Sequence, residues 1–160
     1  MDPEDSYLRV RRSVLVPASP GEVWSYFASR EAMQHWWGIV RELPEAGRSD
    51  GQWLDVYEPC EGRRIMMSVM LDGVRTSYGG RIVRFVPREE LRFENDWDPP
   101  VFEQPSLVSI RLVGVDEGTV VELHHYGFER TGADAGETHL GYESGWGTTQ
   151  LAALRALFSL

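Results

Sequence analysis

The chain has 160 residues, is 42% hydrophobic, and carries a formal net charge of −9. That is enough for one domain with a real core, 1–160, and too acidic to hold nucleic-acid phosphates without a local basic face. All 16 basic residues are arginine, which excludes a Schiff-base lysine, a phosphate-loop lysine and a lysine general base.

No apolar run is long enough to span a membrane. The acidic start, Met1-Asp2-Pro3-Glu4-Asp5, is the opposite of a secretory signal and reads as a disordered tail. Cys60 is the single cysteine, so no internal disulfide can form. A cytoplasmic protein is expected.

Leu8, Val10, Val14 and Val16 alternate with Arg9, Arg11, Ser13 and Leu15, which predicts a first strand with one buried face. Arg12 falls on that apolar face. Ser19-Pro20-Gly21-Glu22 is a helix start, with Ser19 as cap, Pro20 at the first turn and Glu22 closing a capping box. The helix runs to about Phe27, and Ser29 caps a second short one reaching Trp36.

From about Ile39 to Tyr126 the pattern is mostly strand. Asp72-Gly73, Pro87-Arg88-Glu89-Glu90 and Asp116-Glu117-Gly118 turn successive strands back on one another. Val108, Ile110 and Leu112 share a face, as do Val121, Leu123 and His125. Asp96–Pro105 and Glu129–Glu137 read as longer loops of the kind that form lids. Thr138 to Leu160 is predicted as one long helix, with Leu140, Gly147, Leu151, Leu154 and Phe158 along one side. Glycine at 141, 145 and 147 costs such a helix roughly 1 kcal/mol each against alanine, so some feature of it needs absent side chains.

The order is one strand, two short helices, a run of antiparallel strands and a long C-terminal helix. It predicts an α+β helix-grip fold, a curved sheet of about seven strands wrapped around the last helix. Specific residues resemble a known family. Ala18-Ser19-Pro20-Gly21-Glu22-Val23-Trp24 and Trp36-Trp37-Gly38 look like the opening of the family built on the C-terminal domain of the heat-shock ATPase activator. Gly80–Pro87, Leu91-Arg92-Phe93, His125-Tyr126-Gly127-Phe128 and Gly145-Trp146-Gly147 follow the same pattern, so the likeness runs from about Val10 to Leu157. It implies a cavity between sheet and helix, as in the wider START-like, Bet v-type superfamily of carriers, cyclases, co-chaperone domains and self-resistance proteins. The chain departs from a minimal member in a longer, methionine-rich 59–77 region and in Asn95, where an aromatic residue is common.

Three of the six tryptophans sit at Trp36, Trp37 and Trp146, beside glycines. Large flat apolar surface next to residues that permit close approach suits a pocket for an aromatic molecule. The expected pocket is Trp37, Trp53, Met67, Tyr78, Asn95, Trp97, His125, Tyr142 and Trp146. Tryptophan and methionine supply contact area there, while Asn95 and His125 orient polar groups. Met66 and Met70 extend the methionine wall.

Acid–base, nucleophilic and metal chemistry find little footing. His124 and His125 are neighbours on a strand and point to opposite faces, so they cannot share a metal. His35 and His139 read as surface or cap residues. Cys60 sits in a Pro-Cys-Glu-Gly turn beside acids, which do not activate a thiol. No metal and no cofactor is expected, and the partner is a hydrophobic small molecule.

The predicted function is therefore binding of an aromatic or polyketide-like ligand in natural-product biosynthesis or self-resistance. Some superfamily members protect their producers from enediynes by letting a drug diradical take a glycine α-hydrogen. Gly79, Gly80, Gly127, Gly145 and Gly147 are the candidate donors here. One alternative is a polyketide cyclase or dehydratase using His125 as acid–base; another is a co-chaperone-like interaction domain.

Overall fold

The structure is a computed structural model describing residues 8–38, 40–43, 48–71, 73–132, 134–143 and 147–158. Strand β1 (Val10–Val16) leads into α1 (Pro20–Trp24), a single 3-10 turn (Ser25–Phe27) and α2 (Arg30–Gln34). Seven strands follow: β2 (Val40–Leu43), β3 (Arg48–Tyr57), β4 (Arg64–Leu71), β5 (Val74–Val86), β6 (Glu90–Asp98), β7 (Ser106–Val115) and β8 (Gly118–Tyr126). A second 3-10 turn (Phe128–Arg130) leads to α3 (Ala135–Glu143) and α4 (Thr148–Ala156).

All eight strands join one sheet in the order β1-β8-β7-β6-β5-β4-β3-β2, and every pairing is antiparallel. Sequence reading counts about seven; the additional strand is the short edge strand β2. β1 closes beside β8, the last strand, because Val10–Val16 pairs with Thr119–His125 in register.

Local chemistry sets both short helices. The Ser19 hydroxyl accepts the Glu22 backbone N–H at 3.2 Å and lies 3.0 Å from the Glu22 carboxylate; the Ser29 hydroxyl accepts from the Ala32 N–H at 3.1 Å. Each cap satisfies a backbone donor that the helix start leaves open. The two helices press Trp24, Phe27, Met33, Trp36 and Trp37 into the core, in offset and edge-to-face contact down to Phe93. The Trp36 indole donates to the Tyr26 carbonyl and the Tyr57 hydroxyl donates to the Phe27 carbonyl, so these two buried polar tips are satisfied.

The C-terminal helix departs from its sequence reading. Helicity starts at Ala135, earlier than Thr138, and α4 begins anew after Gly147, whose φ of +84° is left-handed. A helix cannot run through such a residue. Residues 144–146 lie outside the described chain. α4 then lies across the hollow of the sheet. A Cβ placed on Gly147 would stand 3.2 Å from Leu123 on β8 and 3.5 Å from the Arg12 side chain on β1. Three residues later Gln150 is hydrogen-bonded to Gln52 on β3. The strands at the two sides of the sheet therefore grip the same short helix.

The Asp96–Pro105 segment is tied down rather than loose. β6 extends into it as far as Asp98. The Asp96 carboxylate accepts the backbone N–H of Trp97, Val101 and Phe102, and Glu103 and Gln104 donate to the Thr131 and Arg130 carbonyls.

The β5–β6 turn carries an oddity. Glu89 N–H donates to the Val86 carbonyl across Pro87-Arg88, and Arg88 sits at φ +67°. Glycine is the residue this turn position favours, because a Cβ there is crowded. Arg88→Gly is expected to raise stability by roughly 1 kcal/mol, or about 2–4 °C in Tm. An unchanged or lowered thermal midpoint would show that the arginine side chain earns its place.

Candidate functional site

Strand alternation sorts the residues of β3–β8 between two faces. On the inner face the register aligns Leu54, Met67, Tyr78 and Trp97 across four adjacent strands. Phe93, Val108, Ile110 and Leu123 continue the apolar lining, all fully buried. Tyr78 and Trp97 meet edge to face with centroids 5.7 Å apart. Trp97, Val69 and Gln52 are only partly buried, so shielding is thinnest at this end of the inner face.

Two polar groups interrupt this lining. At one, the Gln150 Nε2 of α4 donates to the Gln52 Oε1 at 2.8 Å, and the Gln52 Nε2 donates to the Tyr78 hydroxyl. At the other, the Ser106 hydroxyl donates to the Asn95 carbonyl at 3.1 Å and lies 2.7 Å from the His125 Nε2. Asn95, Ser106 and His125 are wholly buried. The His125 ring packs on Phe128, which in turn meets His139 edge to face.

Burial pushes the His125 imidazole down to about 3, helped by the charges of His124 and His139. Ionising it would strip hydration that the apolar surroundings cannot replace. His125 is therefore neutral at physiological pH and offers a hydrogen-bonding group, not a proton to give away.

The outer face is built differently. The Glu90 carboxylate accepts from Arg84, Arg92 and Ser109 at 2.9, 2.8 and 2.6 Å. Burial raises its pKa, but the Ser109 hydrogen bond and Arg92 together pull it below the ordinary value. His124 lies on this face too; burial, then Arg11 and Arg9, push it down to about 4.

The sequence-predicted pocket residues divide accordingly. Trp37, Met67, Tyr78, Asn95, Trp97 and His125 all line the inner side, with Trp37 in the aromatic core against Trp36 and Phe93. Trp53 does not join them: it opposes Ser68 on the other face and lies under the Arg75 guanidinium at 4.3 Å. Arg75 also bonds Ser68 and Asp55 there. Met67 belongs to the inner wall, whereas Met66 opposes Gly79 and takes a contact from Arg64. His139 is more than a surface residue, since its Nε2 lies 2.9 Å from the Arg9 carbonyl. Trp146 and Gly145 lie outside the described residues, as does the Tyr142 side chain.

The remaining candidate glycines have structural reasons to be glycine. A Cβ on Gly79 would sit 2.2 Å from the Ile65 carbonyl oxygen, and one on Gly80 would sit 2.5 Å from that of Glu94. Gly127 is left-handed at φ +78°, ahead of the second 3-10 turn. At Gly147 close packing on Leu123 accounts for the missing side chain.

Sequence reading passed over Gln52, Ser106 and Gln150. Gln150 left a trace: it sits one turn from Gly147 and Leu154 on the buried stripe of the last helix, where an apolar residue belongs. Gln52 and Ser106 gave none, because a single polar residue within a strand, or at the start of one, is unremarkable in sequence.

A family model described as "Activator of Hsp90 ATPase homolog 1-like protein" matches residues 17–159. No curated protein matches the chain. Among solved structures, protein Ms6760 from Mycobacterium smegmatis superposes with a TM-score of 0.74 at 14% identity, covering 95% of this chain and 91% of that one. The Aha1 dimer from Colwellia psychrerythraea gives 0.60 at 13%, covering 94% and 96%. DynU16, described as a putative protein in the dynemicin biosynthetic locus, gives 0.59 at 18%; it covers 94% of this chain but 47% of its own. Identities this low speak to the fold.

Proposed function

Since the chain belongs to the family of activator of Hsp90 ATPase homolog 1-like proteins, we propose that it binds a hydrophobic, aromatic or polyketide-like molecule between the inner face of the sheet and the C-terminal helices. The observation that carries this reading is the composition of that face. Among the described residues, an apolar and aromatic wall of Met67, Tyr78, Phe93 and Trp97 carries polar groups around Gln52 and around Ser106. Small-molecule sites have this make-up, with area from apolar surface and orientation from a few fixed polar atoms.

Likeness to a protein of the dynemicin biosynthetic locus supports a setting in natural-product biosynthesis or self-resistance. The cyclase reading fares less well. Its acid–base residue, His125, is held neutral down to about pH 3 and cannot act as an imidazolium donor near neutrality.

Native and denaturing mass spectrometry of the protein with activated enediynes, aromatic polyketides and fatty acids tests the proposal. An adduct seen only under native conditions is expected, with aromatic ligands favoured. Chain fragments ending at a glycine would instead establish self-sacrifice, and no adduct with any compound would remove the binding reading. For a bound aromatic compound, Trp97→Ala is expected to weaken affinity by about tenfold or more. The domain should stay folded, because Trp97 is only partly buried.

A further inference from the structure

Gln150 is one of three buried residues of α4, with Leu151 and Leu154. It is 5% exposed, and its Oε1 is buried without accepting a hydrogen bond. An amide oxygen taken out of water and given nothing in return keeps its full desolvation penalty. A leucine or methionine would extend the stripe at no such cost. The position therefore holds a polar atom that the protein itself leaves unsatisfied, at the end of a chain of hydrogen bonds running to the aromatic wall.

The direction of that chain does not remove the deficit. As drawn, Gln150 donates to Gln52, and Gln52 donates to the Tyr78 hydroxyl. Turning both amides over lets Tyr78 donate to Gln52 and Gln52 donate to Gln150. The outward atom of Gln150 then becomes an NH₂ with nothing to donate to. In one arrangement the site lacks a donor, and in the other it lacks an acceptor. In the observed arrangement the outward oxygen needs a donor, which a hydroxyl supplies and an ether or a methyl group does not; a hydroxyl also accepts, so it would serve the turned-over arrangement too.

Resting on the ligand-binding reading above, we infer that the bound molecule is an aromatic carrying a hydroxyl group, and that Gln150 is the residue that reads that hydroxyl. Gln52 and Tyr78 are positioning residues. They fix the Gln150 amide from behind, so its outer atom faces the ligand, while the Tyr78 ring and Trp97 supply apolar contact beside it. A site built around a buried polar atom rejects the analogue that cannot pair with it, because rejection leaves that atom stranded.

The test compares three probes of nearly equal size, 2-naphthol, 2-methoxynaphthalene and 2-methylnaphthalene, titrated by calorimetry into the wild-type protein and Gln150→Leu. Wild type is expected to bind 2-naphthol about tenfold more tightly than either analogue, one hydrogen bond's worth. In Gln150→Leu the preference should fall to near unity, chiefly because the methyl compound binds better. The variant should also unfold at or above the wild-type temperature, since it deletes an unsatisfied buried atom. If the Gln150–Gln52 bond serves only to hold α4 on the sheet, the variant will melt earlier and the preference will survive in the folded fraction.

Tyr78→Phe gives an independent reading, keeping the ring and removing the far end of the chain. It should cut the hydroxyl preference without abolishing binding. Equal binding of all three probes by wild type would overturn the hydroxyl inference while leaving the cavity intact. A methoxy compound matching 2-naphthol would also overturn it. Binding of none of the probes by either protein would overturn the inference and the cavity reading together.

Discussion

Replacing Gly79 with alanine is expected to strip away a large share of the protein's stability, even though the change adds one methyl group. The added Cβ would stand 2.2 Å from the Ile65 carbonyl oxygen and 3.1 Å from the Met66 Cα, both backbone atoms of β4. No rotamer can relieve a clash with backbone. Gly79 also lies at φ +134°, a region that side chains rarely adopt. Relief needs β4 and β5 to part where Met66 pairs with Gly79 and Met67 with Tyr78, which opens the wall of the proposed site as well. The loss should exceed about 3 kcal/mol, in the range of severe overpacking.

Gly73→Ala is the control. Gly73 is left-handed at φ +80° but has nothing within 4 Å of its Cβ position. Backbone strain alone should cost it about 1 kcal/mol. Urea unfolding of both variants separates the effects. Equal losses would mean that the β4–β5 contact yields more easily than its geometry indicates.

Acid should unfold the protein ahead of its carboxylates, and His125 should be a main reason. Burial holds its folded pKa at about 3, against an ordinary 6.5. The unfolded chain therefore takes up a proton between those values that the folded chain refuses. Where the unfolded state binds more protons, stability rises with pH. The contribution is fully present above about pH 6.5 and falls as pH drops toward 3, at up to about 1.4 kcal/mol per pH unit for each such group.

His124, pushed down to about 4, acts in the same direction over much of the same interval. Glu90 adds a later loss: its pKa is lowered from 4.5, so it gives up stabilisation only as the solution becomes acidic enough to protonate it. Denaturant unfolding at several pH values between about 4 and 7 should therefore show a steep decline in wild type and a shallower one in His125→Gln. The glutamine can keep a polar atom near the Ser106 hydroxyl. Identical slopes would mean that His125 titrates normally and is reached by water.

Most of the strand plan was legible because each strand carries its own alternation and each turn its own chemistry. Val121, Leu123 and His125 point inward, as their spacing predicts, and Asp116-Glu117 turns β7 onto β8 in register. The caps at Ser19 and Ser29 are local events between residues three apart, so sequence suffices to place them. His124 and His125 facing opposite ways follows from strand geometry alone.

The site was legible only in part, for reasons of distance. Met67, Tyr78, Trp97 and His125 share the inner face because period-two alternation sends them there. Trp53 is a large aromatic in a strand, as Trp97 is, and composition cannot say which face it takes. The irregular register between Leu54 and Val56 and the waiting guanidinium of Arg75 place it outside.

By itself the sequence determined the element types, the turns, the inward stripe of each strand, and an acidic, lysine-free protein suited to contact rather than phosphate chemistry. The tertiary structure decided what residues distant along the chain do to one another. It broke the last helix at Gly147 and brought Leu123 and Arg12 against it. It also joined Gln52 to Gln150, 98 positions away, and buried His125 deeply enough to keep it neutral. Such contacts depend on how the sheet curls around α4, a sum of many small packing preferences that no single stretch of sequence carries.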